Sequence, residues 1–285
     1  FMISPRLNAM GRMESAYDSL RLLLTRDKAR AEKLAQKLGQ TNKQRQEATQ
    51  EALLHARNEV EKKYLGGKLF VISSEKYEEG VVGLVAGRIT ESYHRPTAVI
   101  SENPKVSKGS ARSISGFNIT NAIGKSSSLL VSHGGHPMAA GFSIDKENIS
   151  KFRENFVKVA EDELNEENLT PEIKIDLEIN LVEINEDLNV LLKEFEPFGI
   201  GNPEPVFLTK GLEVIAVRLV GKKNNHLKVT LKDKGGVVLE AVGFGLFEKK
   251  PSVGELVDIV YNIRENYWNS RKRLEARIKD LRKSG

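Results

Sequence analysis

Two histidines and three glycines lie within the eleven residues His133–Ser143, directly after an apolar run. Glycine leaves the backbone open to close approach, and at positive φ consecutive amides can turn toward an anion. Histidine can donate a hydrogen bond to a phosphate or exchange a proton near neutral pH. We therefore expect Gly134, Gly135 and His136 to contact an anion, with His136 as the reactive group. The alternative interpretation is a tightly packed turn whose histidine is bonded to the backbone.

A second segment of small residues, Lys108–Phe117, precedes this run and carries Arg112 between Ser110 and Ser113. The planar guanidinium group binds phosphate or carboxylate through two parallel hydrogen bonds, and serine hydroxyls add further donors. The two segments are therefore predicted to line one site that binds an anion.

The sequences Gly109–Ser113 (G-S-A-R-S) and Gly134–Phe142 (G-G-H-P-M-A-A-G-F) resemble the DHH-associated domain of RecJ-type single-strand exonucleases, in the DHH phosphoesterase superfamily. Further stretches resemble the same family in the same order, and these are Ser4–Met13, Gly80–Ile89, Tyr93–Thr97 and Glu196–Phe207. The last of them resembles the segment that leads into the family's oligonucleotide-binding (OB) barrel. The resemblance covers nearly the whole chain.

The resemblance implies the C-terminal portion of a 5′→3′ exonuclease that hydrolyses single-stranded DNA with Mn²⁺ or Mg²⁺. In that family the metals lie in a catalytic domain marked by Asp-His-His and Asp-x-Asp motifs, and neither motif occurs in this sequence. We therefore expect a chain that holds no metal and is inactive alone. Its expected partners are single-stranded DNA, the missing N-terminal catalytic domain, and single-strand-binding or other replication and repair proteins.

Two other functions fit parts of the sequence. The first is a non-catalytic module whose barrel binds single-stranded nucleic acid or a replication partner. The second is a relative of the short-oligonucleotide phosphodiesterases, which also carry Gly-Gly-His segments. The attached barrel and the segment Glu196–Phe207 argue against this second alternative.

The resemblance also implies roles for individual residues. Arg112 would clamp a phosphate, Ser110 and Ser113 would donate to it, and His136 would reach the scissile phosphate or the metal-bound water. Three more arginines are implied to lie near the nucleic-acid channel, namely Arg6, Arg12 and Arg88. On sequence alone, the first two equally suit a hinge that caps the first helix, and the third equally suits an ordinary surface position. His133 is predicted to be structural.

The fold class predicted from these patterns is multidomain, α/β plus all-β. Residues 1–65 are poor in glycine and predict helix, and the resemblance implies that they are the end of a catalytic domain followed by a long connector helix. Asp27 is predicted to cap a helix, with a break before it and a second break at Gly39. In residues 66–167 strands alternate with helices, which indicates an α/β domain, and the resemblance implies the DHH-associated domain with a mixed sheet.

The remainder of the chain changes to an all-β pattern. Residues 168–204 predict a linker strand, from the alternation over Glu172–Ile179, and a helix. Five short strands in residues 205–285 predict an OB-like β-barrel, although another small barrel fits the spacing equally well. We expect this last segment to be the nucleic-acid-binding domain.

The distribution of charge supports an acidic polymer as partner. The formal net charge is +5, but residues 205–285 hold 17 basic and 9 acidic side chains, a net +8. Residues 151–204 hold 5 basic and 15 acidic side chains, a net −10. A lysine-rich solvated surface is the alternative. The absence of cysteine excludes disulfides and thiolate metal sites and suits the cytoplasm. No apolar run approaches the roughly 20 residues of a membrane span, so no membrane partner is expected.

Aromatic and basic residues are interleaved near the end of the chain. They are Tyr261, Arg264, Tyr267, Trp268, Arg271, Lys272 and Arg273. Aromatic rings stack on bases while cations follow the backbone, which is how single strands are bound without sequence preference. We expect Tyr267, Trp268 and Arg271 to contact DNA, with Trp268 in a hairpin turn; the alternative places Trp268 and Tyr261 in the barrel core. A second basic edge is predicted at Lys222, Lys223, His226 and Lys228.

Overall fold

The structure is a computed structural model that describes residues 2–268 and 271–285, with only the backbone of Tyr267, Trp268 and Arg271. The roles predicted for these three side chains therefore lie outside the described residues. The chain forms two compact units, one ending at Pro171 and one beginning at Glu172. The α/β plus all-β fold class is confirmed, since one unit holds a mixed sheet with helices and the other a closed β-barrel.

Three helices open the first unit: α1 (Ser4–Met13), α2 (Tyr17–Leu24) and α3 (Lys28–Glu59). The predicted break before Asp27 is present, and the Asp27 carboxylate accepts from the Arg30 amide as an N-cap. The predicted break at Gly39 is absent. An added Cβ at Gly39 would meet no atom within 4 Å, and one glycine costs a helix only about 1 kcal/mol, which the packing of α3 outweighs.

A five-stranded mixed sheet forms the centre of the first unit, with strand order β1-β2-β3-β5-β4. Its strands are β1 (Phe70–Ser74), β2 (Thr97–Ser101), β3 (Val106–Arg112), β4 (Leu130–His136) and β5 (Ala139–Asp145). The first pair is parallel and the others are antiparallel. The helices between and after these strands are α4 (Val82–Tyr93), α5 (Ile119–Gly124), α6 (Ile149–Glu163) and α7 (Glu166–Leu169).

Alternating side chains place one hydrophobic core on each face of this sheet. On the first face, Val71, Ile100 and Phe142 pack with residues of α5 and α6. On the second face, Phe70 and Val99 pack with residues of α3 and α4. The second core contains residues of β1 and β2 but none of β3, β4 or β5. That face of the outer three strands is therefore free to carry polar residues.

The second unit is a barrel closed by pairing of its first and fourth strands. The strands are β7 (Phe207–Val220), β8 (His226–Lys232), β9 (Val238–Phe244), β10 (Leu256–Trp268) and β11 (Arg271–Lys283). Two elements precede it, β6 (Leu177–Glu178) and α8 (Glu186–Glu194). Ile179 and Leu181, just after β6, are buried in the barrel core. The predicted strand Glu172–Ile179 is reduced to two residues because its partner β7 begins only at Phe207, opposite Leu177.

In the part of the chain that the structure describes, no helix combines the length and apolarity needed to cross a bilayer.

Candidate functional site

Strand register places the polar residues of three strands on one sheet face. Arg112 pairs with Ala139, which pairs with His136; Ser110 pairs with Gly141, which pairs with Gly134. Paired residues of antiparallel strands point to the same side of a sheet. We call this surface the polar sheet face; its residues are Lys108, Ser110, Arg112, Ser132, Gly134, His136, Ala139, Gly141 and Ser143. Two strand spacings separate Arg112 from His136, about 10 Å.

Arg112 is half-buried between the sheet and α4. It donates to the Ser110 hydroxyl at 3.0 Å and to the Ala111 carbonyl at 2.8 Å. A Cβ at Gly83 of α4 would lie 3.1 Å from the Arg112 guanidinium and 3.0 Å from the Ser110 Oγ. Burial, and then repulsion from Arg12, lower the pKa of Arg112, yet arginine remains charged in proteins. The Arg112 guanidinium group is therefore held in one position as a cation.

Four arginines lie close enough for their charges to interact, Arg112 with Arg12, and Arg45 with both Arg12 and Arg88. We call Arg12, Arg45, Arg88 and Arg112 the arginine cluster. Burial, followed by repulsion from Arg12 and Arg88, lowers the pKa of Arg45. The arginine ion pairs within the described residues involve Arg21, Arg264 and Arg282, and none involves the cluster. Like charges brought together without carboxylates are stabilised by a bound anion.

A cleft of about 650 Å³ is lined by the polar sheet face, by the start of α4 and by two members of the arginine cluster, Arg12 and Arg112. Its walls also include Ser110, Gly134 and the acidic residue Glu79. An added Cβ at Gly80 would come within 1.9 Å of the Arg12 carbonyl oxygen, so α1 approaches the start of α4 at a point where only glycine fits. This contact positions Arg12 at the rim of the cleft.

The Gly-Gly-His segment lies on β4, the edge strand of the sheet. The His136 side chain is exposed, and its ring makes no hydrogen bond to any residue that the structure describes; its carbonyl accepts the Thr120 hydroxyl at 2.7 Å. Gly135 has φ +151°, and a Cβ there would meet the Ala139 carbonyl at 2.4 Å. His136 lies on the polar sheet face, whereas His133 is in register with Phe142 and points to the opposite face, where a Cβ at Gly124 of α5 would lie 3.6 Å from its ring.

Two of the residues proposed from sequence are placed elsewhere. Ser113 is 7% exposed and its hydroxyl donates to the Phe117 carbonyl at 2.6 Å. Ser113 directly follows Arg112, so alternation along the chain already places it away from the face that carries Ser110 and Arg112, and it also lies beyond the end of β3. Arg6 lies within α1, in a helix rather than a turn, and donates to the Met2 carbonyl at 2.8 Å.

Sequence reasoning missed Arg45 and three small polar partners. Arg45 lies one turn from buried Thr41 and from buried Thr49, so a charge on the buried stripe of α3 was the available signal. Lys108 donates to the Ser143 hydroxyl at 2.8 Å, and Ser132 bonds to the same hydroxyl at 3.1 Å. Strict alternation of small and polar residues in Lys108–Arg112 was the corresponding signal in β3.

In the barrel unit, several predicted contacts are already engaged. Lys228 pairs with Glu240 at 2.8 Å and with Glu275 at 3.4 Å, and the Glu240 bond raises the pKa of Lys228. Tyr261 is fully buried in the core, as the alternative interpretation had it, and its hydroxyl is bonded to Thr209.

Some of the other cations predicted for the barrel surface form ion pairs and some are exposed. Arg264 pairs with Glu204, and Lys272 pairs with Glu186 and Glu265. Lys222 and Lys223 are exposed in the turn before β8. His226 accepts the Gly245 amide at 3.1 Å through Nδ1.

Among residues 2–268 and 271–285, no three histidine or carboxylate side chains come together in a group that could hold a metal ion.

Comparison with known proteins agrees with this architecture. Residues 66–166 match the DHHA1 domain and residues 175–280 match the RecJ OB domain. RecJ of Bacillus subtilis, a single-stranded-DNA-specific exonuclease, is 34% identical over 284 residues, covering 98% of this chain and 36% of that protein. The same-named protein of Haemophilus influenzae is 34% identical over 262 residues, covering 86% of this chain and 44% of that protein.

A solved structure shows the same similarity in three dimensions. The crystal structure of RecJ from Thermus thermophilus in complex with Mn²⁺ has a TM-score of 0.82 and 29% identity, covering all of this chain and 41% of that one. The chain thus spans less than half the length of each of these relatives. With a DHHA1 domain followed by a RecJ OB domain, it belongs to the RecJ family.

Proposed function

We propose that this chain grips the phosphates of single-stranded DNA for a RecJ-type 5′→3′ exonuclease. The first unit would hold the phosphates at the cleft, and the barrel would guide the strand. The metal-dependent step, with Mn²⁺ or Mg²⁺, would belong to the part of such an enzyme that carries the metal ligands. The relatives named above are single-stranded-DNA-specific exonucleases, and RecJ structures with both metals are known.

The observation that carries the proposal is the arginine cluster beside a sheet face of small polar residues. Arg112 is oriented by Ser110 and by its slot against α4, so binding a phosphate would cost little ordering of its side chain. β5, the strand between β3 and β4, contributes only Ala139, Gly141 and Ser143 to this face. A phosphate can therefore approach the backbone without meeting a long side chain.

Different residues would act at different stages of the reaction. Arg112 and Arg12, which line the cleft, would hold the bound strand. His136, exposed in the same row of the sheet as Arg112, would act on the scissile phosphate or on the attacking water. Replacing His136 in the complete enzyme would then lower kcat more than it weakens DNA binding, as expected of a contact made in the transition state.

Binding by the purified chain tests the proposal. We would measure fluorescence anisotropy of a labelled (dT)15 oligonucleotide over a series of salt concentrations, and assay degradation with Mn²⁺. We expect binding that weakens as salt rises, because bound phosphates release counterions, and no degradation. Arg45→Ala should weaken binding about 5- to 50-fold, by the loss of one charged contact.

Arg57→Ala is the matched control, because Arg57 is exposed on the same helix and donates to Ser92 outside the cluster. If Arg45→Ala and Arg57→Ala bind DNA equally well, the arginine cluster is not the phosphate site. Robust metal-dependent cleavage by the chain alone would overturn the proposal that the metal-dependent step belongs to another part of the enzyme.

A further inference from the structure

An aromatic ring is held outside the barrel at the end of β9. Phe244 is 56% exposed, although the same strand buries Leu239 and Ala241. The His226 ring packs edge-on against it, with centroids 5.2 Å apart at 69°. The Arg277 guanidinium carbon lies 5.2 Å from the Phe244 centroid, over the ring. Three strands thus contribute one side chain each to a single exposed cluster.

The cluster is fixed by backbone contacts as well as by its rings. Phe244 is in register with His226, and Val242, two residues before Phe244, is in register with Arg277. The His226 Nδ1 accepts the Gly245 amide at 3.1 Å. A Cβ at Gly221, whose φ is +91°, would meet the His226 ring at 2.8 Å. The turn before β8 therefore closes tightly around the histidine.

Positive charge on the barrel surface is neutralised in one place and left unpaired near this cluster. Lys228 and Lys272 each contact two carboxylates. By contrast, four other cations make no ion pair within the described part of the chain, and these are Arg218, Lys222, Lys223 and Arg277. Arg218 is paired with Lys228 across β7 and β8, and the two lysines lie in the turn that follows β7.

We propose that Phe244, His226 and Arg277 form a stacking platform for one base of single-stranded DNA. The unpaired cations Lys222 and Lys223, in the turn before β8, would contact phosphates next to that base. Aromatic rings and guanidinium planes stack on unpaired bases, whose faces are covered in a duplex. The carboxylates Glu240 and Glu275 make the neighbouring groove unfavourable for phosphate. This inference rests on the proposed function, because it assumes that the chain binds single strands.

Two DNA probes with the same phosphates separate stacking from charge. One is labelled (dT)15, and the other is a 15-mer of abasic residues. For Phe244→Ala we expect about 5- to 100-fold weaker binding of (dT)15, the usual range for one lost base stack, and unchanged binding of the abasic probe. Arg277→Ala should weaken binding of both probes.

Phe247→Ala is the matched control, because Phe247 is also exposed, at 44%, in the short helical turn after β9. It should bind both probes as the unchanged chain does. Phe244→Leu keeps the apolar volume but removes the ring face, and it replaces Phe244→Ala if thermal unfolding shows that variant to be misfolded.

The possible outcomes are distinct. If the unchanged chain binds neither probe, the proposed function fails and the platform fails with it. If the chain binds (dT)15 but both folded Phe244 variants bind it equally well, the platform is wrong and the proposed function stands. Equal losses for both probes would assign Phe244 a structural role and overturn the stacking assignment.

Discussion

Gly83→Ala tests whether the slot for Arg112 is needed for phosphate binding. A Cβ at Gly83 would lie 3.0 Å from the Ser110 Oγ and 3.1 Å from the Arg112 guanidinium. Both atoms would have to shift by a few tenths of an ångström. Gly87, one turn further along α4, faces the same arginine, but its Cβ would lie 4.0 Å from the Arg112 Cγ, an ordinary contact. The two glycines are therefore a matched pair.

The expected magnitudes follow from these contacts. Alanine stabilises a helix interior by about 1 kcal/mol relative to glycine, so Gly87→Ala should raise the free energy of unfolding by that amount. Gly83 is the second residue of α4, so Gly83→Ala gains at most this term, and it loses the bond between Arg112 and Ser110, which is worth about 1.5–3 kcal/mol. We expect a net loss of about 0.5–3 kcal/mol in stability. Displacement of the Arg112 guanidinium group should weaken DNA binding about 10-fold, or about 1.4 kcal/mol.

Urea unfolding followed by circular dichroism gives the stability difference, and anisotropy with labelled (dT)15 gives the affinity. Gly87→Ala should bind DNA as the unchanged chain does. Equal DNA affinity for the two folded alanine variants would refute the idea that the Arg112 slot positions a phosphate-binding group.

Two further predictions concern the barrel unit. Lys228→Gln should change (dT)15 affinity less than 2-fold, because Lys228 is already paired with carboxylates. Lys223→Gln makes the same change in net charge but should weaken binding several-fold, because each free cation that contacts a phosphate adds to affinity. Equal losses of affinity in the two variants would contradict this prediction. Burial raises the pKa of Asp258, but bonds from Ser284, the Gly211 amide and Arg282 outweigh it and lower that pKa below 3.8. The stability that Asp258 contributes is therefore complete above pH 3.8 and lost as pH falls further, so urea unfolding of Asp258→Asn should show a shallower acid loss than the unchanged chain.

The sequence was sufficient for the elements that repeat with a regular period. Alternation in Lys108–Arg112 places Ser110 and Arg112 on one face, and the same rule places Ser113, the residue after Arg112, away from that face. Asp27 was predictable as a cap because its carboxylate acts on an amide three residues away. Local geometry alone decides such contacts.

Contacts between distant segments were not available from the sequence. Lys228 is neutralised by Glu240 and Glu275, which lie on two other strands, so its charge could be judged only once the barrel was closed. The close approach of Gly80, just before α4, to the Arg12 carbonyl of α1 is likewise a contact between segments that are distant in the sequence. The exposed ring of Phe244 gave no sequence signal, because apolar residues at alternate strand positions do not reveal which face is buried.

The edge position of β4 sets how much of a polymer the first unit can accept. In the described sheet β4 pairs only with β5, so no strand follows the row that carries Gly134 and His136. If the first unit binds a DNA strand as proposed, a strand that crosses the sheet from Arg112 to His136 leaves it without meeting another β-strand. The sheet itself would then set no upper limit on the length of the DNA strand bound there.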